Sequence, residues 1–175
     1  MNDRLTKSDW IRHGLRTLAK DGPNALKVGP MSTKLKVSRG SFYWHFRDIA
    51  DFRSQLLRSW QESSTDQVIQ DLDAREGEPD RLKHLTRRAF GGTRNLDRAI
   101  WSWAAEDKDV ARIVASVDGR RVARIARLLA EAGAWKAHRA AFLYWAYLGQ
   151  AVVMDPRHSS ISAVALDDVS DLFET

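Results

Sequence analysis

Apolar residues recur every three or four positions along most of this chain, and that period predicts a protein built from helices. Ile11, Leu15 and Leu18 follow Thr6 and Asp9, which are spaced as a capping box, and the pattern stops at the "KDGP" stretch around Gly22. A first helix over 8–20 is expected. Val28, Met31 and Leu35 share one side of a short second helix, in whose first turn Pro30 is tolerated because the N–H it lacks has no intrahelical partner there. Ser38 is placed to cap a third helix reaching Phe46, with Phe42 and Phe46 four residues apart on one face. Asp48 is placed to cap a fourth, over about 48–70.

The charged, Gly- and Pro-containing "DAREGEPD" at 73–80 reads as a loop. Helices are expected after it over 80–91, over 95–106, and from "KDVAR" to near Gly133. An eighth, over about 136–153, carries Ala140, Leu143, Tyr144, Tyr147, Leu148 and Ala151 at spacings of three and four. A short last helix over 164–173 contains Leu172. The fold class is therefore all-α, with about nine helices, no internal repeat and no low-complexity tract.

One long helix followed by two short ones across a tight turn is the spacing of a helix-turn-helix, whose second short helix enters the major groove. The stretch "VSRGSFYWHF", 37–46, then makes physical sense. Phe42 and Phe46 anchor a helix too short to be stable alone, and Arg39, Gly40, Ser41, Tyr43, Trp44 and His45 face outward. Arg39 suits guanine or a phosphate, Gly40 permits close approach, and Ser41 suits a phosphate or base edge. Trp44 suits base edges or a thymine methyl, and Tyr43 and His45 suit the backbone. The competing reading is a local aromatic cluster with no ligand.

Charge favours the DNA reading. The chain carries a formal +5, but residues 1–60 hold 12 Lys/Arg against 5 Asp/Glu, and the rest hold 16 against 18. A basic head on a near-neutral body is the electrostatic footprint of nucleic-acid binding. The absence of cysteine removes disulfides, thiolate catalysis and cysteine-held metals. No apolar run reaches the roughly 18 residues of a spanning helix, so a cytoplasmic protein is expected.

Residues 5–60 resemble the N-terminal domain of the TetR family of transcriptional regulators, and "VSRGSFYWHF" is similar to that family's recognition-helix signature, "YWH" followed by Phe46 being among its more specific forms. The resemblance implies a homodimer bound to a pseudo-palindromic operator. It implies a DNA-binding domain over 1–50 and a helical effector-binding and dimerisation domain over 51–175, with helix four linking them. By position, Ser38 caps the recognition helix, Arg39, Gly40, Ser41 and Trp44 approach bases, and Tyr43 and His45 bind phosphates.

Some residues depart from the family's pattern. Lys36 stands where a turn glycine is usual, and a left-handed backbone there costs roughly 1 kcal/mol. Ile49 replaces a common phosphate-binding lysine. Val28 and Gly29 replace frequent polar contacts, and Pro30 is unusual. Lys27, Lys34 and Arg47 are the phosphate contacts expected to compensate.

The resemblance also implies a small-molecule effector and a dimer built from the last two helices. Trp60, Phe90, Trp101, Trp103, Tyr144 and Tyr147 are candidates to line an aromatic cavity, which points to an apolar or aromatic effector; ordinary core is the alternative for any one of them. The expected dimer face comprises Ala140, Leu143, Tyr144, Tyr147, Leu148, Ala151 and Leu172, the alternative being a central buried helix.

No enzyme, cofactor or metal site is expected. The histidines are scattered, Asp80 and His84 read as a solvated helix pair, and "DGRR" at 118–121 reads as charged surface or an intersubunit pair. A second functional class, a family-shaped helical dimer that has lost operator binding and serves protein interaction, is raised by Lys36, Pro30 and Ile49.

Overall fold

Thr6 opens the first helix by the reciprocal bonds its spacing foretells. Its hydroxyl accepts from the Asp9 N–H at 3.2 Å, and the Asp9 carboxylate accepts from the Thr6 N–H at 2.9 Å. The computed structural model describes residues 5–78, 80–91, 94–133 and 137–153. Among them every regular element is helical. The expected 164–173 helix, with Leu172, lies outside the described residues.

The chain divides into two compact units. The first comprises residues 1–64 and 95–111, and holds α1 (Lys7–Asp21), α2 (Val28–Lys34), α3 (Arg39–Tyr43), α4 (Ile49–Gln61) and α7 (Asn95–Glu106). Helix α1 is its hub, packed against both α4 and α7. Trp10, Leu18, Leu26, Phe42, Phe52, Leu56, Trp60 and Ile100 are fully buried. Gly14 lets α1 and α4 meet, because a Cβ there would sit 2.5 Å from the Phe52 ring and 2.7 Å from a Leu56 methyl.

The turn between α2 and α3 is made without glycine. Lys36 takes φ 56°, the Val37 N–H donates to the Ser32 carbonyl at 3.0 Å, and the Lys36 N–H donates to the Thr33 carbonyl at 3.1 Å. These two bonds constitute a Schellman cap, and they hold a lysine in the left-handed conformation that glycine adopts freely. Lys36→Gly is therefore expected to raise stability by about 0.5–1 kcal/mol, or roughly 2–3 °C in melting temperature. A thermal melt of the variant at or below wild type would show that no such strain is stored.

The expected fourth helix is in fact three pieces. After α4 the backbone opens into a π turn at Glu62–Asp66 and continues as α5 (Gln67–Ala74). Ser64 Oγ donates to the Trp60 carbonyl at 2.6 Å, a side-chain bond of the kind that loosens a helical ladder. The unit boundary falls within this turn, between Ser64 and Thr65.

The second unit comprises residues 65–94 and 112–175, of which the described parts are α5, α6 (Arg81–Phe90), most of α8 (Lys108–Glu131) and α9 (Ala137–Leu148), the last continued by a π turn over Gly149–Val153. Leu72, Leu82, Val117, Leu128, Leu129 and Leu143 form its core. Two buried arginines cross-link it. Arg81 donates to Glu131 at 2.6 Å and to the Leu72 carbonyl at 3.1 Å, while Arg124 meets Asp73 at 2.7 Å. The "DGRR" stretch is used inside this unit: the Tyr144 hydroxyl donates to Asp118 at 2.6 Å, Arg120 pairs with Asp66, and Arg121 donates to Thr65 at 2.9 Å. His84 pairs with Asp71 at 3.0 Å, an α5–α6 contact, rather than with Asp80.

Candidate nucleic-acid interface and the aromatic residues

Helix α3 has five residues, and its geometry depends on what lies beneath it. The Phe42 ring meets Trp10 edge-on at 5.3 Å, Phe46 at 5.0 Å and Phe52 at 5.4 Å, so one residue joins α3 to α1 and α4. At the far end Asp48 and Asp51 tie the next helix down: Asp48 accepts from the Asp51 N–H at 2.8 Å and Asp51 accepts from the Arg47 N–H at 3.0 Å. Hydrogen bonds from Gln55 and the Arg47 backbone hold the Asp51 carboxyl below the usual carboxylate range, so it stays ionised.

Above this anchor, Tyr43 is 58% and Trp44 73% exposed, high values for rings of that size. Arg39 and Gly40 are exposed and Ser41 half-buried. Ser38 stands at the N-cap position with extended backbone, yet its side chain makes no cap bond, in contrast to the expectation. His45 is already engaged: its Nε2 lies 2.9 Å from the Leu5 carbonyl, which can only accept, so Nε2 carries the proton, and the remaining Nδ1 can donate to a phosphate only in the doubly protonated ring. Lys34 pairs with Asp21 at 3.2 Å, whereas Lys27 and Arg47 are exposed at either side of the two short helices. The field of this head is felt at His13, whose pKa is pushed below the ordinary imidazole value by desolvation and then by Arg16 and Lys34.

The six aromatic residues do not behave alike. Trp60 is fully buried, donates to Asp97 at 2.8 Å and meets Trp101 edge-on at 5.8 Å; Trp103 is buried with Arg53 5.8 Å from its ring. Trp60 and Trp103 belong to the first unit's core, Trp101 is half-buried beside Trp60, and Asp97, unmarked by any sequence motif, is the buried acceptor that makes room for the indole N–H. Phe90, Tyr144 and Tyr147 cluster in the second unit, with Tyr144 stacked on Tyr147 at 5.8 Å and Phe90 edge-on to Tyr147 at 6.1 Å. Arg94 and Arg121 each lie 5.7 Å from the Tyr147 ring. Burial and the bond to Asp118 raise the Tyr144 hydroxyl pKa strongly, so it stays protonated.

The residues named for a dimer face agree with the alternative of a central buried helix. Ala140, Leu143, Tyr144, Tyr147 and Ala151 are buried within the subunit and Leu148 is half-buried. The outward face of α9 instead carries Phe142, 55% exposed, and Trp145, 59% exposed, in edge contact at 5.4 Å, with His138 edge-on to Phe142 at 6.2 Å. In "AAFLYWAYLGQ" nearly every position is apolar, so spacing alone does not say which side faces the core.

A helical head of this arrangement is also found in a solved structure. The chain is similar to a candidate fatty acid metabolism regulator of Clostridium perfringens, with a TM-score of 0.72 over 94% of this chain and 95% of that one, at 16% identity. The chain has a TetR-like fold. No protein-family model and no curated protein matches it. The shared fold agrees with the resemblance carried by "VSRGSFYWHF", which rests on different information, local residue identity rather than chain path. Among the described residues no helix is long and apolar enough to cross a membrane.

Proposed function

We propose that this TetR-like chain is a DNA-binding transcriptional regulator, a repressor that holds a pseudo-palindromic operator as a homodimer and is released by a small-molecule effector. The observation that carries the reading is the exposure of Tyr43 and Trp44 beside Arg39 on a five-residue helix whose other side is locked into an aromatic core. Exposed aromatic surface of this size costs free energy in water and is usually associated with a partner. The surrounding charge favours a phosphate-rich one, and the turn at Lys36 keeps its helix-turn-helix form despite lacking glycine. That favours operator binding over a head that has lost it.

Dimerisation is assigned to the outward α9 face of Phe142 and Trp145. Two recognition helices are needed to read a palindrome, and the symmetry of the protein then mirrors that of the site. The effector is assigned to the second unit around Phe90, Tyr144 and Tyr147, and is apolar or aromatic. Fatty acids and their thioesters are natural first compounds to test, because the Clostridium perfringens protein is named for fatty acid metabolism.

The test is selection of genomic DNA fragments by the purified protein, then fluorescence anisotropy of the best duplex at two salt concentrations. The expected result is a palindromic site whose affinity falls steeply with salt. Tyr43→Ala is expected to weaken it by roughly tenfold, with the melting temperature moved by no more than a few degrees. Random fragments bound equally by wild type and variant would remove the operator-binding reading and point to protein partners instead.

A further inference from the structure

Arg39 does not stand free above α3. A Cβ built on Gly29 would lie 3.2 Å from Arg39 Nη2 and 3.6 Å from both Cζ and Nε, so the guanidinium packs beside the bare position in α2's first turn. Among the described residues the group has no hydrogen-bond or ion-pair partner, and the residue is exposed. Its donors are thus held in place by packing and remain unspent.

Glycine is a poor choice for a helix, where alanine is more stable, unless something needs the missing Cβ. Here the guanidinium borders that space, and an added Cβ would press on its Nη2 at 3.2 Å. We propose that Gly29 is a specificity-determining residue: by presenting no side chain it seats Arg39 across the two short helices and aims its donor fork at guanine. The inference rests on the DNA-binding reading above. A seated arginine has less rotamer freedom to lose on binding, and its rigid fork matches the O6 and N7 acceptor pair that only guanine offers in the major groove. The position in α2 contributes to readout through what it lacks.

The experiment is selection from a randomised duplex library by wild type, Arg39→Ala, Gly29→Ala and Gly29→Leu, with thermal melts of each protein and a salt titration on the winning duplex. Wild type is expected to select guanine at one position of each half-site. Arg39→Ala is expected to reduce that preference roughly tenfold or more. Gly29→Leu is expected to flatten the same position and no other, leaving the salt slope unchanged, because no phosphate contact is removed. Gly29→Ala is expected to melt at or above wild type while losing part of the guanine preference; this opposite movement of stability and selectivity is what a purely structural glycine does not produce.

A Gly29→Leu profile identical to wild type would overturn the inference, and should that protein fail to melt cooperatively, an unchanged Gly29→Ala profile does the same. An Arg39→Ala protein that keeps every base preference and only lowers the salt slope by about one marks Arg39 as a phosphate contact, which also overturns it. If wild type itself enriches no sequence, the operator-binding reading fails and this inference fails with it, an outcome recognisable because it appears before any substitution.

Discussion

Phe42→Ala is expected to destabilise the first unit by about 3–5 kcal/mol and to abolish DNA binding. Phe42 is fully buried and makes ring contacts with Trp10, Phe46 and Phe52, residues of α1, of the segment after α3, and of α4. Truncation removes apolar burial and also leaves a cavity where four rings meet, which a close-packed aromatic cluster has little means of filling. The consequence for function is larger than the loss of one ring. Helix α3 is one turn and a fraction long, so without its anchor nothing of its own holds it helical.

The check is a urea or thermal unfolding curve followed by both tryptophan fluorescence and circular dichroism, with anisotropy on the selected duplex. A drop on the order of 10 °C with loss of binding is expected. The neighbouring Tyr43→Ala supplies the contrast, since it should lose affinity at nearly unchanged stability. A Phe42→Ala protein that melts like wild type and still binds would show that α3 is held by something other than this cluster.

Trp145→Asp is expected to weaken homodimerisation by about 2–4 kcal/mol, roughly 30- to 1,000-fold in dissociation constant. Trp145 and Phe142 are exposed neighbours in edge contact, and an aromatic pair of that kind is the usual centre of an interface. A carboxylate there must be desolvated against apolar surface with no partner supplied, which adds to the lost packing. Because Trp145 is exposed in the single subunit, its replacement leaves the fold intact, so a change of assembly is separable from unfolding. Sedimentation equilibrium across the micromolar range reads the effect directly. Affinity for the full palindrome should fall towards that for a half-site. An unchanged dimer would place the interface on another face.

Much of the head was legible from residue spacing. Thr6 with Asp9, Gly22 and Asp48 are local signals, each decided by neighbours within four residues and each found in the role its spacing indicates, whereas Phe42 and Phe46 pack together although the helix expected to reach Phe46 stops at Tyr43. Ser38 was not so simple: its position was right but its hydroxyl does not cap, because a cap needs an oxygen aimed at a particular N–H, which spacing does not specify. Lys36 shows the reverse, a residue of the wrong type in a conformation that the surrounding Schellman bonds impose.

The aromatic residues of the later helices were legible as a group and not one by one. Trp60 and Trp103 proved to be core of the first unit, and Phe90, Tyr144 and Tyr147 a cluster of the second, a division that separates residues sharing the same composition. Which side of α9 is buried in the subunit was not legible for the same reason. A period of three to four residues identifies a helix and its stripes, but where almost every side chain is apolar the period has no contrast to orient it.

The amino-acid sequence by itself determined the helical class, the helix-turn-helix spacing and the concentration of positive charge in the head, since these depend on the order of residues along one strand of chain. Tertiary structure alone decided which ring is core and which is surface, that His45 spends one nitrogen on Leu5, and that Gly29 lies under Arg39. Those contacts join residues 10 to 40 positions apart, and their existence depends on how whole helices pack, an outcome set by the combined burial of many side chains rather than by any local pattern.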